Sequence, residues 1–561
     1  MELNPKHFSV LGLVTGLVVV VASTLHHDAE LAESVDLHGA GFVTSQRCGH
    51  CHEDHLESWA STYHRTMTQE ASEVSVLAPF AGEQVRYRGW EASMTREDNA
   101  FVMRVSNPHG EESQIEVVRT VGSHRYQQYI KREEDEYIRL PWAWHIEEAR
   151  WFHMNGAFLT PDPIGVASES DYRRHVVRWN DNCIFCHNVD PNPNLGPDGF
   201  QSEVAELGVA CEACHGPGEE HSARNTSPLR RYMLHASSEP DPSIVSPARL
   251  SADRSADVCG RCHGQRMTSD IAEYLENGDP FVPGDDLAHH SEPLWADTTL
   301  NGDAIFRQRF WADGSPRLTA YEYQGWLQAR CTLDGELTCT TCHGMHEGEP
   351  EGQLRPADSG TFQSHDSGGV LADRSCAECH ESTNEHAGDG HADVSCVDCH
   401  MPRIVYGVLD AHRTHRIEIP RPALSDRPHA CGLCHLNQPD RFFGLESEEE
   451  TIVGLRWLFG GDPIVRALAA DAYGRSNKNE DEGILLSAME RDKYPAIRRL
   501  AWRSMRRRNP ALSPEDFDPM ASRSERDAAI TLLGLTHYRP EEDVLRRLEA
   551  EAAQVNIEIG E

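Results

Sequence analysis

Lysine is scarce in this chain of 561 residues, and so are long hydrophobic stretches. The only lysines are Lys6, Lys131, Lys478 and Lys493, so nearly all positive charge is arginine, which pairs bidentately with carboxylates and propionates. The formal net charge of -38 excludes nucleic acid as an expected partner, because a phosphate backbone would be repelled. Hydrophobic residues make up 39% of the chain and the mean hydropathy is -0.56, so something besides aliphatic side chains is expected to fill the interior.

An apolar run of 16 residues, from Phe8 to Ser23, lies close to the N-terminus. It is short for a membrane span, which needs about 20 residues, and is typical of the apolar part of a secretory signal. We expect residues 1–24 to be a signal peptide or an N-terminal membrane anchor, followed by a linker at 25–41. The remaining chain is then exported, to the periplasm, the cell surface or the extracellular space.

Sixteen of the 17 cysteines repeat one pattern, Cys-x-x-Cys-His. The copies, numbered motif 1 to motif 8 in chain order, are Cys48-Cys51-His52, Cys183-Cys186-His187, Cys211-Cys214-His215, Cys259-Cys262-His263, Cys339-Cys342-His343, Cys376-Cys379-His380, Cys396-Cys399-His400 and Cys431-Cys434-His435. The composition of the chain would produce about 0.03 copies by chance. Disulfide frameworks of exported proteins do not require a histidine after each cysteine pair. The pattern therefore indicates a role for these cysteines other than disulfide formation.

This order of residues is typical of covalent attachment of haem c. Two thiols one helical turn apart each add to a vinyl group of one porphyrin, and the histidine that follows binds the iron. A zinc site would need two such pairs around one ion, and a dithiol oxidoreductase would carry one pair on a βαβ unit. The sequence predicts eight covalently bound haems c, whose rings would bury the apolar surface that the side chains lack.

Each haem iron has a second axial position, and only eight of the 32 histidines directly follow a Cys-x-x-Cys pair. An electron-carrying haem c is expected to bind a histidine on each face. Candidate distal ligands are His64, His221, His346, His386, His391, His412, His415 and His429, with His124, His145, His153 and His235 as further candidates. His26, His27 and His38 fall in the linker and are expected to be solvated.

The spacing of the motifs locates the parts without haem anchors. Between Cys48 and Cys183 the segments "VRYRGW", "FVMRVS" and "SQIEVV" alternate apolar and polar residues, which predicts a small antiparallel β insertion over 80–140. Residues 42–440 are otherwise predicted to be an octahaem cytochrome c domain of mainly α and coil structure. Cys331 is the odd thiol and is expected to be buried and inert, with an unusual haem ligand or an intermolecular bridge as alternatives.

After Cys434 no cysteine follows and helical patterns take over. The segments "DPIVRALAADAYG" and "YPAIRRLAWRSM" match at an offset of 32 residues, close to the period of helical solenoids. Residues 441–561 are predicted to be a helical repeat domain of HEAT or tetratricopeptide type. It either caps the haem region or serves as a surface for docking a partner.

At these residues the sequence resembles a family of exported multihaem cytochromes c, related to the cytochrome c554 group, with a doubled CXXCH region followed by tetratricopeptide or HEAT-like repeats. The resemblance covers most of residues 42–555 and is carried by "CGHCHEDHLESWASTYH", "RWFHM", "GVACEACHGPGEEH", "GELTCTTCHGMH" and "CVDCHMPRIVYGVLDAHRTHRIEIPRP" before "ACGLCH". It implies distal ligation by His64, His221, His346 and His415. His412 is extra to the family pattern, so the choice between His412 and His415 is open. The resemblance also implies electron transfer outside the cytoplasm.

The leading hypothesis is an octahaem electron-transfer cytochrome without catalytic residues, which links donor and acceptor cytochromes or a membrane quinol-oxidising complex. The rival is an octahaem oxidoreductase of the hydroxylamine, nitrite or tetrathionate type with one open substrate haem. The absence of a CxxCK motif and the single lysine of the haem region, Lys131, disfavour a lysine-ligated substrate haem. A tyrosine cross-link through Tyr126, Tyr129, Tyr321 or Tyr323 stays open. A third hypothesis is a structural subunit whose repeats assemble with its own copies or dock into a membrane complex.

Overall fold

The computed structural model describes most of the chain from residue 36 onward. The described residues are 36–346 except 164, 238, 319 and 334–336; 376, 379, 380, 391 and 394–444 except 407–409 and 422–426; and 451–559 except 477, 479, 535–538, 556 and 558. The predicted signal segment at 1–24 and the candidate ligand His386 lie outside them. Within the described part, no helix has both the length and the apolarity that a membrane span requires.

Two antiparallel sheets occupy the long interval between motif 1 and motif 2. Their strands are β1 (Thr68–Glu70), β2 (Glu83–Tyr87), β3 (Trp90–Glu97), β4 (Ala100–Ser106), β5 (Glu112–Val117), β6 (Arg119–Val121), β7 (Tyr126–Glu133), β8 (Glu136–His145) and β9 (Arg150–His153). One sheet has the order β2-β3-β4-β5 and the other β1-β6-β7-β8-β9. Buried residues of both sheets, including Met94, Met103, Tyr129 and Trp142, form a shared core.

The sheets extend beyond the predicted insertion at 80–140 on both sides. β1 pairs with β6 through Thr68 and Val121, and β9 pairs with β8 through His153 and Trp142. These strands have three and four residues, too few for an alternating pattern to be visible in the sequence. The remaining strands are short: β10 (Asn188–Val189), β11 (Leu195–Gly196), β12 (Gly199–Phe200), β13 (Glu206–Leu207), β14 (Arg266–Met267), β15 (Glu292–Pro293), β16 (Arg403–Tyr406) and β17 (Asp410–Arg413). They form the antiparallel pairs β10–β13, β11–β12, β14–β15 and β16–β17.

Short helices and turns make up most of the described residues between 42 and 440 outside the two sheets. The α-helices there are α1 (Ser45–Gly49), α2 (Glu53–Ala60), α3 (Glu169–Tyr172), α4 (Cys211–His215), α5 (Glu219–Arg224), α6 (Pro228–Ser237), α7 (Ala252–Gly260), α8 (Ile271–Asn277), α9 (Glu322–Gln328), α10 (Arg330–Leu333), α11 (Cys339–Cys342), α12 (Cys396–His400) and α13 (Ala430–Cys434). Single 3-10 turns lie at Leu37–Gly39, Met154–Gly156, Cys183–Phe185, Pro247–Arg249, Leu287–His289, Arg307–Arg309 and Asp440–Phe443.

Longer helices follow motif 8. They are α14 (Val453–Leu455), which continues into a π-helical turn at Arg456–Gly460, then α15 (Pro463–Tyr473), α16 (Asp481–Arg491), α17 (Pro495–Arg508), a 3-10 turn at Pro514–Asp516, α18 (Arg523–Leu532) and α19 (Glu542–Ala552). Asp462 caps α15 by accepting from the N–H groups of Ile464 and Val465. α17 packs against both α15 and α16. That these helices are a repeat of HEAT or tetratricopeptide type stays a prediction.

One hydrophobic core crosses the predicted domain boundary at 440/441. It joins helix residues such as Leu468 and Trp502 to Trp311, Tyr321 and Val405 of the haem region. The helices that follow motif 8 therefore share buried apolar surface with the segments around motifs 5, 7 and 8.

The arginine-rich helix α17 is held to the sheet region by buried ion pairs. Arg498 binds Asp162 at 2.6 Å, and Arg499 binds Glu148 at 2.9 Å. Arg503 binds Asp410 of β17 at 2.7 Å. Several arginines of this helix therefore form ion pairs within the molecule, where the planar guanidinium group fits the geometry of a carboxylate.

Candidate haem sites

Each of the eight motifs forms a single helical turn. In motifs 1, 2, 4, 5, 6 and 8 the histidine N–H donates to the carbonyl of the first cysteine at 2.8–3.1 Å. The cysteines and histidines of motifs 3 and 7 lie within α4 and α12. This turn brings both thiols to one face of the segment, as attachment to two neighbouring vinyl groups requires. All 17 cysteines lie in the described part of the chain, and none of them forms a disulfide.

Five motif histidines each face a second histidine from a distant part of the chain. The ring centroids are separated by 6.4 Å for His52–His221, 5.9 Å for His215–His346, 6.1 Å for His64–His263, 6.2 Å for His343–His415 and 5.9 Å for His391–His435. The rings are nearly parallel in the pairs of motifs 1, 3 and 5 and nearly perpendicular in those of motifs 4 and 8.

These separations match what one metal ion between two imidazoles demands. With a metal–nitrogen bond of about 2.0 Å and each nitrogen roughly 1.1 Å from its ring centroid, two rings on opposite sides of an ion lie about 6.2 Å apart. Direct ring stacking would bring the centroids closer, as at His124, which lies 4.0 Å from Tyr63. The five pairs therefore leave space for an iron atom between each two rings.

Neighbouring carbonyl groups fix the orientation of two motif histidines. The Nδ1 atom of His215 lies 2.7 Å from the carbonyl oxygen of Val245, and that of His400 lies 2.7 Å from that of Glu418. Because a carbonyl oxygen only accepts, the proton must sit on Nδ1, which leaves the lone pair of Nε2 for a metal.

Burial keeps several of the facing rings neutral. It lowers the pKa of His64 and of His346 to about 4 and that of His415 to about 3. A neutral imidazole is the form that binds a metal ion.

Glycines allow two of the facing histidines to approach their motifs. A Cβ at Gly208, whose φ is +83°, would lie 2.5 Å from the carbonyl oxygen of Arg65, next to His64. A Cβ at Gly325 in α9 would lie 2.8 Å from the backbone nitrogen of Arg416, next to His415. A side chain at either position would therefore push a histidine segment away from its partner.

The motifs are also neighbours of one another. The thiol of Cys48 interacts with that of Cys211, Cys186 with Cys262, and Cys259 with Cys339. Cys214 lies near Cys262, and Cys399 lies near the two cysteines of motif 8. Motif 4 thus adjoins motifs 2, 3 and 5, motif 1 adjoins motif 3, and motif 7 adjoins motif 8.

Two further predicted ligands lie in the segments next to motifs 7 and 8. His412 is on β17 beside Arg125 and Asp410, while His415 is the residue that faces motif 5. His429 caps α13 through Nδ1, which accepts from the Gly432 N–H, and its Nε2 atom is buried without a hydrogen-bond partner in the described structure. His429 is therefore oriented as a ligand would be.

The further candidates occupy the sheets and the surface. His145 accepts from the Glu148 N–H, His153 stacks on Tyr87 at 3.9 Å, and His235 is exposed on α6. His38, expected to be solvated, has a side chain that is 53% exposed, and its Nε2 atom lies 3.2 Å from the Asp285 carboxylate.

The odd thiol and the tyrosines are half-buried or buried. Cys331 is half-buried in α10. Of the candidate tyrosines for a cross-link, Tyr129 donates to Gln127 and Tyr323 donates to Asp257, both within the protein core. Tyr321 accepts from Arg309, and Tyr126 accepts from Gln128.

Sequence reasoning missed residues that lie against the candidate ligands. His55 lies 4.4 Å from His346 between ring centroids, and Asp241 lies 3.2 Å from Nδ1 of His221. The segment "DPSIV" supplies both Asp241 and the Val245 carbonyl, so one loop touches ligands of motifs 1 and 3. The "HEDH" spacing at His52 could have suggested His55, whereas nothing local in the sequence indicates Asp241.

Among the described residues, no group of three or more His, Cys, Asp and Glu side chains is arranged to hold a metal ion alone. A haem needs fewer protein ligands, because the porphyrin supplies four nitrogens and the protein only the axial ones. The residues present therefore fit haem, with two axial imidazoles at each of five motifs.

No protein-family model matches this chain, and no curated protein matches it. Among solved structures, the chain is similar to the crystal structure of an outer cell wall cytochrome, OcwA, with 15% sequence identity and a TM-score of 0.44. The similarity covers 91% of this chain and 99% of that one.

Proposed function

We propose that this protein is an exported octahaem cytochrome c that transfers single electrons between redox partners. The observation that carries the proposal is the set of five histidine pairs, each of which joins a CXXCH motif to a distant histidine at the separation that one iron requires. An iron with two imidazoles has no vacant position for a substrate, which favours electron transfer over substrate chemistry.

Haem iron, when bound, supplies a reversible one-electron couple between its ferric and ferrous states. The cysteines of each motif would hold the porphyrin edge, and the motif histidine would bind one face of the iron. His221, His64, His346, His415 and His391 would bind the other face at motifs 1, 4, 3, 5 and 8. The Val245 and Glu418 carbonyls keep the motif histidines of sites 3 and 7 in the binding tautomer.

The contacts between motifs support a connected set of sites. Neighbouring thiols connect motif 1 to motif 3, motif 3 to motif 4 and motif 4 to motif 5. Motif 2 lies beside motif 4. His415, which faces motif 5, belongs to the chain segment between motifs 7 and 8. His52 of motif 1 and His435 of motif 8 are exposed. These two ends are where partners would exchange electrons with the protein.

The alternative function is an octahaem oxidoreductase with one open substrate haem. The five facing pairs involve motifs 1, 3, 4, 5 and 8. Arg139 and the Met67 carbonyl lie near His187 of motif 2. A haem with an open face is therefore to be sought at motifs 2, 6 and 7, by its spin state and its reaction with small ligands.

We propose further that the protein is exported and exchanges electrons with other redox proteins. The apolar segment at Phe8–Ser23 supports export to the periplasm or the cell surface, and the strong negative charge favours partners with basic docking surfaces. Donor and acceptor cytochromes, or a membrane quinol-oxidising complex, are the proposed partners. We also propose that the helices after motif 8 dock a partner or join copies of this chain to one another.

The first test is the haem content, measured by intact-protein mass spectrometry together with a haem assay. Eight haems per chain are expected, and a smaller number would contradict the proposal. The oxidised protein should then show low-spin signals only, and carbon monoxide should barely change the spectrum of the reduced protein. A stoichiometric high-spin haem that binds carbon monoxide, nitrite or hydroxylamine would favour the oxidoreductase instead.

The second test uses a matched pair of variants, His415→Ala and His412→Ala. Both residues lie in one short segment, but only His415 faces a motif histidine. We expect one high-spin haem in His415→Ala and none in His412→Ala. High-spin haem in the His412 variant alone would contradict the pairing of His343 with His415.

A further inference from the structure

We infer that Asp241 sets the reduction potential of the motif 1 haem by accepting a hydrogen bond from its distal ligand, His221. This inference rests on the proposed function, since it assumes that His52 and His221 bind one iron. The supporting geometry is a contact of 3.2 Å between the Asp241 carboxylate and Nδ1 of His221. Asp241 is a positioning residue here, because it acts on the iron through His221.

The carboxylate is built firmly into the fold. Its Oδ1 atom accepts from the Ser243 N–H at 3.0 Å, from the Ser243 hydroxyl at 2.6 Å and from Arg230 at 3.1 Å. Its Oδ2 atom accepts from Asn225 at 2.8 Å and faces His221. The side chain of Asp241 is 10% exposed.

Asp241 is charged in this setting. The Ser243 N–H and hydroxyl, the Asn225 amide and the Arg230 guanidinium all donate to its two oxygens, and Arg230 is positively charged. These donors stabilise the carboxylate as an anion.

An anionic acceptor distinguishes His221 from other oriented ligands. Nδ1 of His215 and Nδ1 of His400 face neutral carbonyl groups. A carboxylate draws the Nδ1 proton more strongly than a carbonyl does, which makes the imidazole a stronger donor to its metal. A stronger donor stabilises the ferric over the ferrous state, so the motif 1 haem should have a lower potential than a site with a carbonyl acceptor.

Replacing Arg230 should shift the potential of the motif 1 haem in the direction opposite to that caused by replacing Asp241. It binds the far oxygen of the same carboxylate and is itself 7% exposed on its side chain. Removing its positive charge leaves Asp241 a stronger acceptor for His221, whereas removing the charge of Asp241 weakens the ligand. The two substitutions should therefore shift the potential in opposite directions.

The experiment is a redox titration of the intact haem-loaded protein, followed by EPR, for Asp241→Asn and Arg230→Gln. His221→Ala identifies the signal of the motif 1 haem, because that variant should turn it high-spin. In Asp241→Asn we expect the ferric-to-ferrous equilibrium of this haem to shift about tenfold towards the ferrous state, which corresponds to about 59 mV upward for one electron. In Arg230→Gln the shift should be downward.

Glu220→Gln is the matched control. Glu220 is adjacent to His221 in α5, but its carboxylate binds Arg224 at 2.7 Å. Removing this charge tests whether a nearby negative charge alone explains the effect. We expect its shift to be at most a third of that in Asp241→Asn.

Several results would overturn the inference. These are no shift in Asp241→Asn, the same shift in Glu220→Gln, or conversion of the haem to high-spin in both Asp241→Asn and Arg230→Gln, which would indicate a merely structural role. Failure of the proposed function would look different: the unsubstituted protein would lack haems, or His221→Ala would leave every low-spin signal unchanged.

Discussion

Glu148 and Arg499 form a buried ion pair between the sheet region and helix α17, and we expect Glu148→Gln to destabilise the protein strongly. Each side chain is 2% exposed, and the guanidinium lies 2.9 Å from the carboxylate. Arg150 also donates to Glu148 at 2.7 Å. Removing the carboxylate charge leaves Arg499 buried without its counter-charge.

The size of the effect follows from two arguments. Burial would raise the pKa of Glu148, but Arg499 and Arg150 lower it to about 2 from the ordinary 4.5. Burial, and after it Arg150, also lowers the pKa of Arg499 to about 10, so the pair stabilises the fold by less than the Glu148 shift alone would imply. Breaking a buried ion pair on one side costs about 3–5 kcal/mol in other proteins. We therefore expect a loss of about 3 kcal/mol at neutral pH.

The pH dependence has a definite sign. Because the pKa is lower in the folded state than in the unfolded state, the stabilisation is fully present above about pH 4.5 and is lost as the pH falls towards 2. The difference between the unsubstituted protein and Glu148→Gln should shrink over this window.

The assay is urea unfolding followed by far-UV circular dichroism at pH 7 and at steps down to pH 2.5. Glu169→Gln is the control, because Glu169 is 72% exposed and lies 3.7 Å from Arg173; its effect should stay below about 1 kcal/mol. The double variant Glu148→Gln, Arg499→Met should recover part of the loss, since it also removes the fully buried charge of Arg499. Equal effects of Glu148→Gln and Glu169→Gln, or a difference that does not change with pH, would refute the reasoning.

Three further predictions concern the haem sites and the helices that follow motif 8. The ring pairs of motifs 1, 3 and 5 are nearly parallel and those of motifs 4 and 8 nearly perpendicular, so we expect two classes of low-spin EPR signal. Parallel imidazoles act on one of two iron d orbitals and split their energies, whereas perpendicular imidazoles leave the two orbitals nearly equal in energy. A single class of signal would contradict this geometry. Gly325→Ala should displace the segment of His415 and produce a partial high-spin signal, whereas Gly196→Ala, which meets no atom within 4 Å, should leave the spectrum unchanged. Truncation after residue 445 should reduce the yield of soluble, haem-loaded protein, because the removed helices share a core with Trp311 and Val405. A normal yield with an unchanged visible spectrum would show that these helices are dispensable for folding.

The helical turn of the CXXCH motifs was predictable because it is local. Two thiols and a histidine within five consecutive residues form one helical turn whatever surrounds them, so each motif is visible in the sequence alone. The alternation in "VRYRGW" and "FVMRVS" is local in the same sense, and strands β2, β3 and β4 lie there. The flanking strands β1 and β9 were missed because they have few residues and pair with distant ones.

Facing histidines are a matter of tertiary structure. His221 lies far along the chain from His52, and the sequence alone did not indicate that His415 lies opposite His343 while His412 lies beside Asp410. Which residues orient the ligands was equally invisible, because Asp241 and the Val245 carbonyl act through a loop whose sequence, "DPSIV", carries no signal of its own. The CXXCH motifs, read from the sequence alone, predict eight sites of haem attachment. Long-range packing decided which histidine ring faces which and which charge sits behind it, because facing rings and their hydrogen-bond partners are set by distance in space and not by distance along the chain.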